Sequence, residues 1–243
     1  MIVQHEYRIK VSDVGKENKA TNKAILAILE DVACIHSDIA GYGVENIDET
    51  HVTWLLLEWK VQIIKRPKYG DKVIAKTWSK KSKKCYAFRD FEVCNEKGEI
   101  IIRASSKWVL MDVEKCKIVT IQDEIMGKYE PELDLKSFED EEFKKNREPE
   151  KCEMQTLYKV KKNDIDINNH MHNINYIDLA NEILPEYICK KGELDYIRIT
   201  YKKEIKLGET VICKFAHNEE KNSNIITIKS EDDKTLHAIM ELT

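Results

Sequence analysis

No apolar run in this chain approaches the roughly 20 residues that a membrane-spanning helix needs; stretches such as Trp54 to Leu57 stop far short. No charged segment followed by an apolar one opens the sequence, and MIVQHEYRIKV already patterns as a strand. The expectation is a protein that is neither membrane-spanning nor exported, and so cytoplasmic. The seven cysteines (Cys34, Cys85, Cys94, Cys116, Cys152, Cys189 and Cys213) are odd in number and contain no C-x-x-C pair. That pattern argues against a disulfide framework or a zinc ribbon and for a reducing compartment. G-x-S-x-G and H-E-x-x-H are missing as well, which removes the serine-hydrolase elbow and the commonest zinc-hydrolase pattern.

What is present is a globular composition, 42% hydrophobic and 35% charged over 243 residues, enough for one large or two small domains. The net charge of −4 gives no general attraction to nucleic acid. Positive charge is nevertheless clumped at Lys65-Arg66-Pro67-Lys68, Lys80 to Lys84, Lys144-Lys145, Lys159 to Lys162 and Lys202-Lys203. Each cluster alone suits a solvated loop or strand edge; several on one face would suit an acidic partner. The abundance of Lys, Ile and Asn fits an AT-rich bacterial genome.

The chain also repeats itself. YRIKVSDVGKENKATN, from Tyr7, lies over YKVKKNDIDINNHMHN, from Tyr158, without a gap, so that Tyr7, Lys10, Asp13 and Asn22 fall on Tyr158, Lys161, Asp164 and Asn173. GDKVIAK from Gly70 lies over GETVICK from Gly208 at a shorter offset, which places an insertion in the first half, in GYGVENIDETH. Each half reads as a short strand, a helix (Asn22 to Ala40; Asn173 to Cys189), then long strands. Those strands are Thr53 to Lys65, Asp71 to Ser79, Tyr86 to Asn95 and Glu99 to Asp112, then Leu194 to Lys206, Glu209 to His217, Ile225 to Ser230 and Thr235 to Leu242. Asn173 suits the N-cap of the second helix, whose broad apolar face implies packing on most sides. The expected unit is α+β, antiparallel strands wrapped on one helix. Between the halves, the polar segment 131–152 reads as a linker with room for a short helix.

One segment breaks the repeat. DIDINNHMHN sets Asp164, Asp166, Asn168, His170 and His172 alternately with Ile165, Ile167, Asn169 and Met171; in an extended backbone these polar groups would share a face. In the first half Gly15, Glu17 and Lys19 stand where Asp166, Asn168 and His170 stand in the second. A calcium loop is excluded, since its required Gly and Glu positions are Asn169 and Asn175. Zinc binding through His170 and His172 lacks a third ligand at a familiar spacing, and capping of the helix is the bland alternative. Water activation is the third reading: an imidazole works as a base at neutral pH when a carboxylate orients it, and N–H groups at the helix start near Asn173 suit an oxyanion. A thiol nucleophile would have to come from distant segments, or from Cys189 at the far end of the helix.

DIDINNHMHNINYIDLANEILP resembles the central motif of the acyl-[acyl carrier protein] thioesterases of bacteria and plant plastids, D-x-D-x-N-x-H-x-x-N-x-x-Y with a helical Glu and Pro. Asp164, Asp166, Asn168, His170, Asn173, Tyr176, Glu182 and Pro185 fall on matching positions, YKKEIKLGETV resembles a further motif containing Glu204, and the likeness extends over nearly the whole chain. It implies a tandem (double) hot-dog fold: an N-terminal acyl-binding half over 1–130, a linker over 131–152 and a C-terminal catalytic half over 153–243. It implies release of free fatty acid in fatty acid biosynthesis, with Asp166, Asn168, His170 and Glu204 catalytic and with Asn173, Tyr176, Glu182 and Trp54 lining substrate. Acyl-CoA hydrolysis and acyl binding without catalysis are the alternatives. No cofactor or metal is implied. The partner is an acidic acyl carrier protein docked on Lys161, Lys162, Lys202 and Lys203, and a homodimer is left open. Plant members carry Cys directly after the Glu; Ile205 stands there in this chain, which favours a water- or carboxylate-based route.

Overall fold

The Thr21 hydroxyl accepts the Ala24 N–H at 3.2 Å and so starts helix α1, Asn22–Ile39. Ile25, Leu26, Leu29, Val32, Ala33 and His36 return at helical spacing and are the buried face of α1. That face rests on β1 (Ile2–Arg8) and β3 (Lys72–Ser79). The computed structural model describes residues 1–191 and 194–243, with backbone alone at 189–191. The chain divides into two units, Met1–Leu57 with Val61–Glu142, and Phe143–Thr243 with Glu58–Lys60.

In the first unit the insertion forms a short 3₁₀ turn and α2 (Ile47–Thr50), before β2 (Val52–Ile63). β4 (Tyr86–Asn95), β5 (Ile100–Asp112), β6 (Lys117–Val119) and α3 (Asp123–Lys128) complete it. The sheet order is β1-β3-β4-β5-β2, with β6 on β5. The pairs β1–β3, β3–β4, β4–β5 and β5–β6 are antiparallel. In the second unit come β7 (Met154–Lys159), α4 (Tyr176–Ile183), α5 (Glu186–Lys191), β8 (Tyr196–Tyr201), β9 (Thr210–Asn218), β10 (Ser223–Ser230) and β11 (Leu236–Leu242). Its strands run β8-β11-β10-β9-β7, antiparallel throughout, and α4 packs on β7 and β9. Each unit is thus antiparallel strands around one helix, the α+β arrangement expected.

Three local expectations are corrected. The second helix is not continuous from Asn173 to Cys189: a 3₁₀ turn over Asn173–Asn175 precedes α4, and Leu184 is extended (φ −62°, ψ 127°). Pro185 explains that break, because it clashes with the α conformation of the residue before it. Nor does Asn173 cap the helix, since the N-cap residues His172 and Asn175 make no side-chain cap bond. The linker holds no helix; the short one, α3, precedes it. Its polar groups are spent on tethers instead. Ser137 donates its N–H to Asp90 Oδ2 (3.1 Å) and its hydroxyl to Phe91 O (2.8 Å), and Trp78 Nε1 donates to Leu135 O (3.3 Å). Further on, Lys229 pairs with Glu148 at 3.0 Å.

A buried polar cluster lies in the first unit. Arg89 Nη1 donates to His36 Nδ1 (2.7 Å) and Thr77 Oγ1 (3.3 Å), and its guanidinium stands over the Tyr129 ring at 5.6 Å. An imidazole that accepts from a guanidinium is neutral, and burial first, Arg89 second, push its pKa down to about 3. The unfolded imidazole protonates near 6.5. This group's contribution to stability is therefore whole above about pH 6.5 and is lost as pH falls toward its folded pKa, at up to roughly 1.4 kcal/mol per pH unit. An NMR titration should find the His36 ring still neutral at about pH 4.5; a midpoint near the ordinary imidazole value would mean that Arg89 does not face it.

Candidate active site

DIDINNHMHN is a closed loop rather than a strand. A 3₁₀ turn over Lys162–Asp164 leads into it, Ile165 and Met171 bridge across it, and Asn169 turns the chain with φ 61°. Asn tolerates that left-handed conformation better than most residues. Asp166 Oδ1 accepts the N–H groups of Asn168 (2.8 Å) and His170 (3.2 Å), while the Asp166 N–H donates to His170 O at 2.8 Å. The extended, one-faced arrangement is thereby overturned, and Asp166 sets the main chain of His170 rather than its ring. Nothing among the described residues hydrogen-bonds the half-buried His170 imidazole, and Asn168 is exposed at the loop tip. Asp164 works outside the loop, accepting from Tyr158 OH (2.7 Å) and the Lys161 N–H (2.7 Å).

Glu204 is exposed, on the turn after β8, not within a strand to Lys206 as expected. The two turns are joined: His170 bridges Lys206, and the Met171 N–H donates to Ile205 O at 2.8 Å. Below them lies Tyr176, 2% exposed, edge-on to Tyr201 (ring centroids 5.3 Å apart). Burial first, then the negative charges of Glu204, Asp166 and Glu209, hold its hydroxyl protonated. Tyr201 OH donates to Asn173 O at 3.0 Å, which fixes the start of the helical turn. The first N–H groups of that turn have no intrahelical acceptor.

The first unit repeats the backbone part of this construction. Val14 bridges Ala20, Lys19 bridges Lys68, Asn18 has φ 60°, and Ala20 N–H donates to Pro67 O at 2.8 Å. Gly15 therefore takes the place of Asp166, Glu17 of Asn168 and Lys19 of His170, while Arg66 takes that of Glu204. Arg66 is buried and donates to Ala20 O (2.8 Å) and Asn22 Oδ1 (2.6 Å). The same backbone frame carries an exposed acid in one unit and a buried, helix-tying cation in the other.

Other expected site residues are spread more widely. Glu182 is exposed on α4, and Asn173 is half-buried at the turn. Trp54 belongs to the first unit, where its Nε1 donates to Tyr129 OH at 2.7 Å. Lys161, Lys162, Lys202 and Lys203 are all exposed, with Lys161 over the Tyr158 ring at 5.4 Å. Cys213 is buried and its thiol pKa is pushed up to about 12 by that burial. The Cys189 side chain lies outside the described residues. Among those described, no group of three or more His, Cys, Asp and Glu side chains gathers as a metal site. His237, Tyr158 and Tyr201 contact this site and were not among the expected site residues; His237 corresponds to Ile101 of the first unit only through the backbone bonds the two share.

An imidazole, a carboxylate on the adjoining turn and main-chain N–H groups at a helical start are the kinds of group that can serve as a base, an orienting charge and an anion cradle. Residues 1–129 match the acyl-ACP thioesterase N-terminal domain and residues 147–242 the acyl-ACP thioesterase C-terminal domain. Oleoyl-acyl carrier protein thioesterase 1 of Arabidopsis thaliana is 26% identical over 226 residues, 86% of this chain and 62% of that protein. The palmitoyl-acyl carrier protein thioesterase of Cuphea hookeriana is 27% identical over 220 residues, 84% of this chain and 52% of that protein. The chain thus spans less than two thirds of the length of these plant relatives. Among solved structures, an acyl-ACP thioesterase from Bacteroides thetaiotaomicron superposes with a TM-score of 0.88 at 18% identity, over 99% of this chain and 96% of that one. The 12:0-ACP thioesterase of Umbellularia californica gives 0.87 at 20%, with the same coverage. The fold is the tandem hot dog. Matched along both halves, the chain belongs to the acyl-ACP thioesterase family.

Proposed function

We propose that this protein is a cytoplasmic hydrolase that releases free fatty acid from acyl-acyl carrier protein in fatty acid biosynthesis. The observation that carries the reading is the Asp166–His170 loop joined to the Glu204 turn in one unit, where the other unit has Gly15, Lys19 and Arg66 in the same frame. His170 takes a proton from water as the water oxygen attacks the thioester carbon. The carbonyl electrons move to oxygen, and the N–H groups at the Asn173 turn receive that negative charge. Collapse of the tetrahedral species breaks the C–S bond, and the proton returns from His170 to the departing thiolate. Glu204 steadies the positive imidazolium, Asn168 contacts the thioester, and Asp166 fixes the loop. We assign the acyl chain to the half over 1–130, with Trp54 in its lining, and catalysis to that over 153–243. The chemistry asks for neither metal nor organic cofactor, and the pantetheine arm comes with the partner.

Carrier proteins are acidic, and Lys161, Lys162, Lys202 and Lys203 flank the two catalytic turns on exposed main chain. Ion pairs at such a surface act mainly on association and are screened over about 8 Å at physiological salt. Raising salt should increase KM for the carrier-bound substrate with little change in kcat, and Lys161→Glu or Lys202→Glu should do the same. An acyl-pantetheine without the protein body should respond to neither. Equal salt sensitivity of both substrates would remove this docking surface and favour acyl-CoA, the second reading.

A further inference from the structure

The Glu204 turn is held from beneath by one side chain with no counterpart in the first unit. His237, on β11, is 5% exposed, and its Nδ1 lies 3.1 Å from both Lys203 O and Glu204 O. Two carbonyl oxygens on one ring nitrogen require that nitrogen to carry the proton, so His237 is a bifurcated donor. The backbone of the same residue completes the clamp: Lys202 N–H and Lys203 N–H donate to His237 O at 2.8 and 3.3 Å. In the first unit Ile64 N–H and Lys65 N–H donate to Ile101 O in the same way, at 2.8 and 3.1 Å. Ile101 is therefore the twin of His237: both buried, with the same backbone clamp, one apolar and one a donor. The frame does not need an imidazole to close, since the first unit closes without it. What the imidazole adds is a grip on the carbonyls of Lys203 and Glu204, and it is added in the unit whose turn carries an exposed carboxylate instead of the self-anchored Arg66.

We infer that His237 is a positioning residue that fixes the main chain beneath Glu204 and so aims its carboxylate. The inference rests on the reading of Glu204 given above. His237→Ile installs the twin's residue, for which the fold already shows an accommodation, and should leave the thermal midpoint within a few degrees. It should lower kcat about tenfold, the worth of roughly one net hydrogen bond, with KM for the acyl-carrier substrate unchanged. His237→Asn, whose amide places an N–H close to the Nδ1 position, should recover most of the lost kcat. In a Glu204→Gln background His237→Ile should cost nothing more. Unchanged kcat in His237→Ile, or no recovery in His237→Asn, overturns the positioning role while leaving Glu204 in place. If Glu204→Gln is itself fully active, both readings fall. A full tenfold loss on top of Glu204→Gln shows that His237 acts through some other group, and also overturns the inference.

Discussion

His170→Ala should lower kcat by roughly 10²–10⁴-fold, the usual worth of a positioned general base, while Lys19→Ala at the twin position should leave it nearly unchanged. The contrast follows from the two loops sharing one frame. Both are closed by the same bridge and turned by an Asn near φ 60°, so removing either side chain takes away no backbone bond. Among the described residues none hydrogen-bonds the His170 ring, so the thermal midpoint of His170→Ala should stay close to that of the parent. Steady-state kinetics on an acyl-carrier substrate, with a melting curve for each variant, checks this. Equal losses in the two variants would mean that the loop is structural in both halves.

Glu204→Gln is expected to lower kcat by about 10²-fold or more at little cost in stability. The carboxylate is exposed, and exposed substitutions away from special features usually stay within about 0.5 kcal/mol. The larger replacement, Glu204→Arg, copies the first unit's Arg66 and should abolish turnover, because it sets a cation next to the imidazole that must accept a proton. The amide variant reports the charge alone. A Glu204→Gln enzyme with parental kcat would assign the carboxylate to the surface of the turn and leave His170 without its orienting charge.

Much of the fold was legible because each signal was local. The strands of the first half lie within one residue of their structural limits at Tyr86–Asn95 and Ile100–Asp112, where period-two patterning meets short polar turns. The internal repeat also marked the one segment at which the two halves differ most in polar residues, Asp166 to His170 against Gly15 to Lys19. What was not legible depended on non-local bonds. Alternating polar residues suggested a strand, yet the Asp166 carboxylate folds onto the N–H groups ahead of it and closes a turn. Tyr201 ends β8 because the next two N–H groups, of Lys202 and Lys203, converge on the single carbonyl of His237 on β11 instead of continuing the ladder, which moves Glu204 from a strand to a turn. The role of Arg66 was hidden for a similar reason: in sequence it belongs to a basic cluster, and only the folded chain shows it buried against Ala20 and Asn22.

The most direct measurement is the fate of a thioester. A carrier protein loaded with a single acyl chain, in large excess over this protein, should yield one free carrier thiol and one free fatty acid per thioester consumed, over many turnovers. Thiol titration follows the first product and mass spectrometry the second, and His170→Ala should suppress both together. Tight binding of the acyl carrier with the thioester intact, and no fatty acid released, would contradict hydrolysis and leave an acyl-binding protein built on the same fold.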